Sequence, residues 1–121
     1  MSSLHKTILE QANAAIRAGD IEGFLKHCTE DLQWTAMGEP TLRGKEAVRQ
    51  WMVREYQTPP RFSLHRLIAE DDTVVAIGSI TTEDPEGRHV ESAYCDVWRF
   101  VDGRMAELQA FVIDVTANAP S

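Results

Sequence analysis

Pro59 and Pro60 divide this chain into two regimes of hydrophobic spacing. Before them, apolar residues recur every three or four positions; after them, they alternate. Proline lacks the amide hydrogen that a helix needs and clashes with the preceding turn, so no helix is expected to run through this point. Upstream, Leu4, Ile8, Ala12, Ala15 and Ile16 mark an amphipathic helix from about Ser3 to Ala18. Gly19 suits its C-terminal stop and Asp20 the N-cap of a second helix. That second helix carries Ile21, Phe24, Leu25 and Cys28 on one side. A short strand follows from Leu32 to Ala36, then a loop at Gly38-Glu39-Pro40. Gly44 opens a third helix striped by Ala47, Val48, Trp51, Met52 and Tyr56.

Downstream of the prolines the pattern predicts four strands: Arg61 to Ala69, Thr73 to Thr82, Arg88 to Phe100 and Arg104 to Val115. Polar turns at Glu70-Asp71-Asp72, Glu83 to Gly87 and Asp102-Gly103 join them. Thr116 to Ser121 reads as a frayed tail. Helices first and antiparallel strands afterwards is the α+β pattern, three helices on a mostly antiparallel sheet. The 121 residues fit one domain spanning 1–121.

Charge narrows the partners. The net charge is −7 with no dense basic stretch, which argues against nucleic acid and against an anionic membrane surface. No apolar run approaches the ~18 residues of a membrane span, and no signal-peptide core is present, so the cytoplasm is the expected location. Cys28 and Cys95 stand apart from any metal-type spacing and read as free, mostly buried thiols. His5, His27, His65 and His89 show no ligand spacing either, so no metal is expected. His27 and His65 read as surface positions that compete weakly for a role as bases. No glycine-rich phosphate loop or nucleophile elbow is present, and no cofactor is expected.

The residue that stands out chemically is Asp96. Tyr94, Asp96, Trp98 and Phe100 alternate along one strand and therefore share a face directed at an apolar space. A carboxyl there either keeps its proton or finds a partner, because an unpaired buried charge is costly. A neutral buried acid can donate a hydrogen bond to an oxygen that gains charge in a reaction. The competing reading is a structural carboxyl satisfied by Trp34, Tyr56 or backbone.

Which last-strand residues join Asp96 depends on the turn at Asp102-Gly103. A two-residue turn groups it with Phe111 and Ile113. A three-residue turn with Gly103 left-handed groups it with Leu108, Ala110, Val112 and Asp114, and is favoured because that set is the more apolar. Asp114 then becomes a candidate catalytic acid near a pocket mouth, against the weightier alternative of a solvated strand-end carboxylate. Trp34, Trp51, Met52, Tyr56, Tyr94 and Trp98 are candidate walls for a flat, mostly apolar ligand, with plain core as the competing reading for each. The opposite face carries Ala93, Cys95, Val97 and Val101, which three helices cannot also cover, so a homodimer through the outer sheet face is expected.

Several segments resemble a known family. Gly19-Asp20-Ile21-Glu22 resembles the junction between the first two helices of the NTF2-like fold. Leu42-Arg43-Gly44-Lys45-Glu46 resembles its entry to the third helix. Asp96-Val97-Trp98-Arg99-Phe100 resembles a strand of the ketosteroid isomerases, and Gly103-Arg104 with Gln109-Ala110-Phe111 resembles the following turn and strand. The likeness extends to SnoaL-like polyketide cyclases and covers the whole chain. It implies a cone of curved sheet wrapped on helices, binding an apolar, carbonyl-bearing molecule without a cofactor. It places Asp96 where the isomerases keep a protonated aspartic acid, a case well known for its acid held neutral at pH 7. The resemblance also implies losses. The isomerase tyrosine falls at Ala12 and the general-base aspartate at Thr35 or Ala36, while the acid set of epoxide-hydrolysing relatives has no counterpart. The expectation is isomerase- or cyclase-type acid–base chemistry, with a non-catalytic ligand-binding or protein-interaction module as the rival.

Overall fold

Pro59 and Pro60 separate helix from strand as expected, and the computed structural model describes residues 2–116. In chain order the elements are α1 (Ser2–Arg17), α2 (Ile21–Leu25), β1 (Cys28–Ala36), β2 (Leu42–Arg43), α3 (Lys45–Glu55), β3 (Arg61–Glu70), β4 (Thr73–Glu83), β5 (His89–Val101) and β6 (Arg104–Asp114). One six-stranded sheet runs β2-β1-β6-β5-β4-β3. All its pairs are antiparallel except β1 with β6. The sheet curls around the helices. α1 packs on β3, β4 and α2, and α3 packs on β1, β2 and α2. None of the described helices is long and apolar enough to cross a membrane.

Local chemistry sets the helix ends. Gly19 turns the chain with φ +75°, a conformation costly for any residue with a Cβ. The Asp20 carboxylate then accepts the Gly23 amide at 2.9 Å, capping α2. That helix is shorter than its apolar spacing predicts: Cys28 does not extend it but begins β1, where it is fully buried. Its thiol donates to the Phe24 carbonyl at 3.7 Å, and burial pushes its pKa up to about 12. Cys95 is only half-buried.

The buried face of α1 is rotated from the expected stripe. Leu4 is 53% exposed, and His5 takes its place inside. The His5 ring stacks on Phe100 with centroids 4.5 Å apart, so a residue counted as polar serves as core. Leu9 and Ala12 continue that face and pack with Phe24, Leu25, Leu32, Val48, Met52 and Met105. This packing closes one end of the cone.

The β5–β6 hairpin corrects the predicted turn. Val101 pairs with Arg104, so the turn has two residues; Asp102 and Gly103 adopt φ +51° and +77°, the left-handed pair that matches strand twist. The phase shift comes instead from a bulge. Phe100 faces Met105 while Arg99 faces Glu107, so Ala106 is the extra residue. The result places Leu108, Ala110 and Val112 in line with Trp98, Asp96 and Tyr94, the grouping expected, by a different device. The expected frayed tail is also corrected at its start. The Thr116 hydroxyl accepts the Glu91 amide at 2.9 Å, tying the chain to β5; residues 117–121 lie outside the described part.

Candidate active site

A row of small side chains hollows the cone. Across the inner face of the sheet, Ala36 pairs with Ala110, Ala110 with Asp96, and Asp96 with Ala76. Ala110 and Ala36 leave room on one side of the carboxyl and both line the space, whereas Ala76 on the other side does not. In the next row Tyr94 lies beside Gly78, where a Cβ would meet the Ser63 carbonyl oxygen and come within 2.8 Å of the Tyr94 hydroxyl. Gly78 lets the tyrosine ring lie flat along the sheet rather than fill the space above it.

The space left is a cavity of about 330 Å³, within the ordinary range for a small-molecule site. Trp34 and Ala36 of β1, Trp98 and Leu108, and Phe24 of α2 line its inner part. The rings hold one another in place. Trp34 lies 5.4 Å from Trp51 and 6.0 Å from Trp98, and Trp51 lies 5.1 Å from Tyr56, each pair tilted or edge-on. Edge-to-face contacts of this kind suit the ring quadrupole and resist collapse into the void.

Asp96 opens onto this cavity. Burial raises its pKa from the ordinary 3.8 to about 7. No opposing cation or hydrogen-bond donor enters as a cause, so desolvation alone decides the shift. The structural-carboxyl reading required a bond to Trp34, Tyr56 or backbone, and none is formed among the described residues. Two phenols respond to the same field: burial and the Asp96 charge push the pKa of Tyr56 and of Tyr94 upward. Below about pH 7 the interior therefore holds three protonated O–H groups.

Of the expected site residues, the fold gathers Asp96, Trp34, Trp51, Tyr56, Tyr94, Trp98, Leu108, Ala110 and Val112 around one cavity. Two fall elsewhere. Met52 is fully buried in the core and does not line the space. Asp114 pairs with Ser92 at the far end of β5, four residues along β6 from the partner of Asp96. It is exposed, and its carboxylate accepts the Thr116 amide at 2.8 Å, which lowers its pKa. It is a strand-end carboxylate, not a pocket acid. None of the four histidines lines the cavity.

The structure adds lining residues that the spacing argument passed over. Ser92 shares the Asp96 face by strict alternation and was legible. Asn13 and Ile16 come from α1, Phe62 from β3 and Ile80 and Thr82 from β4. Glu55 and Glu83 sit at the ends of α3 and β4, about half exposed, and bring carboxylates to the rim. Only the fold brings these ends together, so no local signal marked them.

A family model for the SnoaL-like domain matches residues 9–108. The chain belongs to the SnoaL-like family. Solved structures agree with the family's NTF2-like cone. An NTF2-like protein of unknown function from Burkholderia pseudomallei superposes with TM-score 0.83 at 20% identity, covering 98% of this chain and 95% of that one. The epoxide hydrolase/cyclase-like enzyme SalBIII, described in pyran ring formation in polyether salinomycin, gives TM-score 0.82 at 18% identity over 89% of each chain. An M. tuberculosis LEH-like epoxide hydrolase gives 0.81 at 18% identity, covering 92% of this chain and 84% of that one. At these identities the likeness concerns the fold. Comparison with functionally curated proteins gives no match.

Proposed function

We propose that this SnoaL-like protein binds an uncharged, mostly apolar, carbonyl-bearing small molecule in the cone. Asp96 donates a hydrogen bond to the carbonyl oxygen as it gains charge. The observation that carries this reading is the unpartnered Asp96 carboxyl, kept protonated by burial and facing a cavity walled by rings. With no partner among the described residues, its O–H is available to a ligand. In a dry site one such donor aimed at a developing oxyanion is worth a few kcal/mol. Isomerase- or cyclase-type proton chemistry follows, and the likeness to the epoxide hydrolase/cyclase-like enzyme SalBIII and to the M. tuberculosis LEH-like epoxide hydrolase supports a cone that hosts enzymes. Binding is expected below about pH 7, where Asp96 keeps its proton, and lost above it.

One observation favours a second reading, a ligand carrier without catalysis. The resemblance puts the isomerase base at Thr35 or Ala36, neither of which is an acid, and of the two Ala36 lines the cavity; Ala12, where it puts the tyrosine, is buried. Proton abstraction needs a base in reach of the substrate. The remaining carboxylates, Glu55 and Glu83, are at the rim.

The experiment uses 1-tetralone. Its binding is followed by tryptophan fluorescence, and exchange of its α-protons in D2O is followed by NMR. The expected result is saturable binding with protein-dependent exchange, both lost in Asp96→Ala while the thermal transition survives. Binding without exchange selects the carrier. Binding and exchange unaltered in Asp96→Ala overturn the role of the carboxyl.

A further inference from the structure

The charges around the cavity have one sign. Its lining includes Asp96, Glu55 and Glu83 but no Lys, Arg or His among the described residues. The nearby cations are engaged outside it. The Arg17 guanidinium lies 4.1 Å from the centroid of the Phe62 ring and donates to the Phe62 carbonyl, and Arg54 pairs with Glu55 at 3.3 Å. His89 lies 4.0 Å from Glu83. The other titratable groups facing inward are Tyr56 of the segment after α3 and Tyr94 of β5; β1, β6 and α1 contribute none to the lining. Above about pH 7 a carboxylate ligand would meet the Asp96 charge inside and the glutamates at the rim, and at any pH it finds no Lys, Arg or His among the described lining residues to offset its desolvation.

The walls point the same way. Trp34, Trp51, Trp98 and Tyr56 are mutually tilted, so they offer ring faces in several directions. Ring faces attract cations, tryptophan most strongly, and more so away from water. An ammonium also brings the donors that the two Asp96 oxygens lack among the described residues.

Resting on the reading of this cavity as a ligand site, we propose that it also binds small cyclic or aromatic amines as ammonium ions, between the tryptophan rings and the ionised Asp96, and that it excludes carboxylates. The proton balance is explicit. The amine enters as a cation and Asp96 gives its proton to solvent, so binding strengthens as pH rises. A carbonyl ligand needs that proton and weakens over the same interval. One cavity thus changes the ligand class it prefers.

The test titrates the full chain with three compounds on one frame: 1-tetralone, 1-aminotetralin and tetralin-1-carboxylate. The signal is fluorescence of the three tryptophans, all of which line the cavity. Between about pH 6 and about pH 8.5 the amine, charged throughout, should bind about tenfold more tightly at the higher pH, and the ketone about thirtyfold less tightly. The carboxylate should show no saturable change at either pH. Asp96→Asn should abolish both pH dependences and keep the ketone bound. An amine affinity that does not change with pH, or a carboxylate that binds as well as the amine, overturns the inference. Failure of the ketone alone, with the amine behaving as stated, removes the carbonyl reading and leaves this one intact.

Discussion

Replacing Asp96 with asparagine should make the protein more stable, and the gain should depend on pH. The carboxyl has no partner to lose among the described residues, and an amide has nearly its shape, so terms belonging to the neutral form largely cancel. What remains is the cost of ionising Asp96 inside the cone. Its pKa rises from 3.8 in the unfolded chain to about 7 in the folded one. Below 3.8 both states hold the proton and asparagine changes little. Between the two values the unfolded chain releases it and the folded chain keeps it, so wild-type stability falls as pH rises. Above about 7 both states are ionised and the penalty is constant. At about 1.4 kcal/mol per pH unit the full difference is about 4.5 kcal/mol. Some of the carboxyl surface is accessible through the cavity, so roughly 2–4 kcal/mol is the expected gain at pH near 8. For a chain of this size that raises Tm by about 10 °C. Urea unfolding of both proteins at about pH 4.5, 6 and 8 measures the difference directly. An advantage for asparagine that is the same at every pH, or a variant less stable than wild type at pH near 8, would refute the reasoning. The first result would mean that folding leaves the Asp96 pKa unshifted, the second that the folded protein stabilises the carboxylate.

Two further expectations concern the cone and its outer face. Ala110→Leu places a large side chain in the row beside Asp96; it should abolish 1-tetralone binding while leaving stability within about 1–2 kcal/mol of wild type, as measured by fluorescence titration and urea unfolding. On the outer sheet face, Phe111 and Ile113 are 42% and 65% exposed and adjoin Cys95 and Ala93; we expect a second copy of the chain to cover this patch. Light scattering should then give twice the monomer mass at micromolar concentration and the monomer mass for Phe111→Glu with Ile113→Asp, whereas a monomeric wild type would remove the expectation.

Part of the site was legible before any fold. Tyr94, Asp96, Trp98 and Phe100 fall on one face by strand geometry alone, and a carboxyl among rings announces itself. The ring walls were legible as apolar residues but not as walls. Met52 and Trp51 are neighbours on one helix; one is sealed in the core and the other borders the void, and the pattern cannot separate them. Asp114 shared the right phase, yet phase does not say how far along a strand the cavity extends.

Taken alone, the sequence determined the order of the helices and the longer strands, the inward face of the strand that carries Asp96, and the presence of a carboxyl on that apolar side. These follow from short-range effects: the prolines that stop a helix, the glycine and aspartate at its ends, and the two-residue period of a strand. Tertiary structure decided that the inside is hollow. Ala36 and Ala110 come from strands far apart in the chain, and only the register of β1, β6 and β5, shifted by the bulge at Ala106, sets them in a row beside Asp96. A void is the absence of side chains from several elements at one place, and no single stretch of chain contains that information. The same holds for Glu55 and Glu83, whose charge reaches the rim because two element ends meet there.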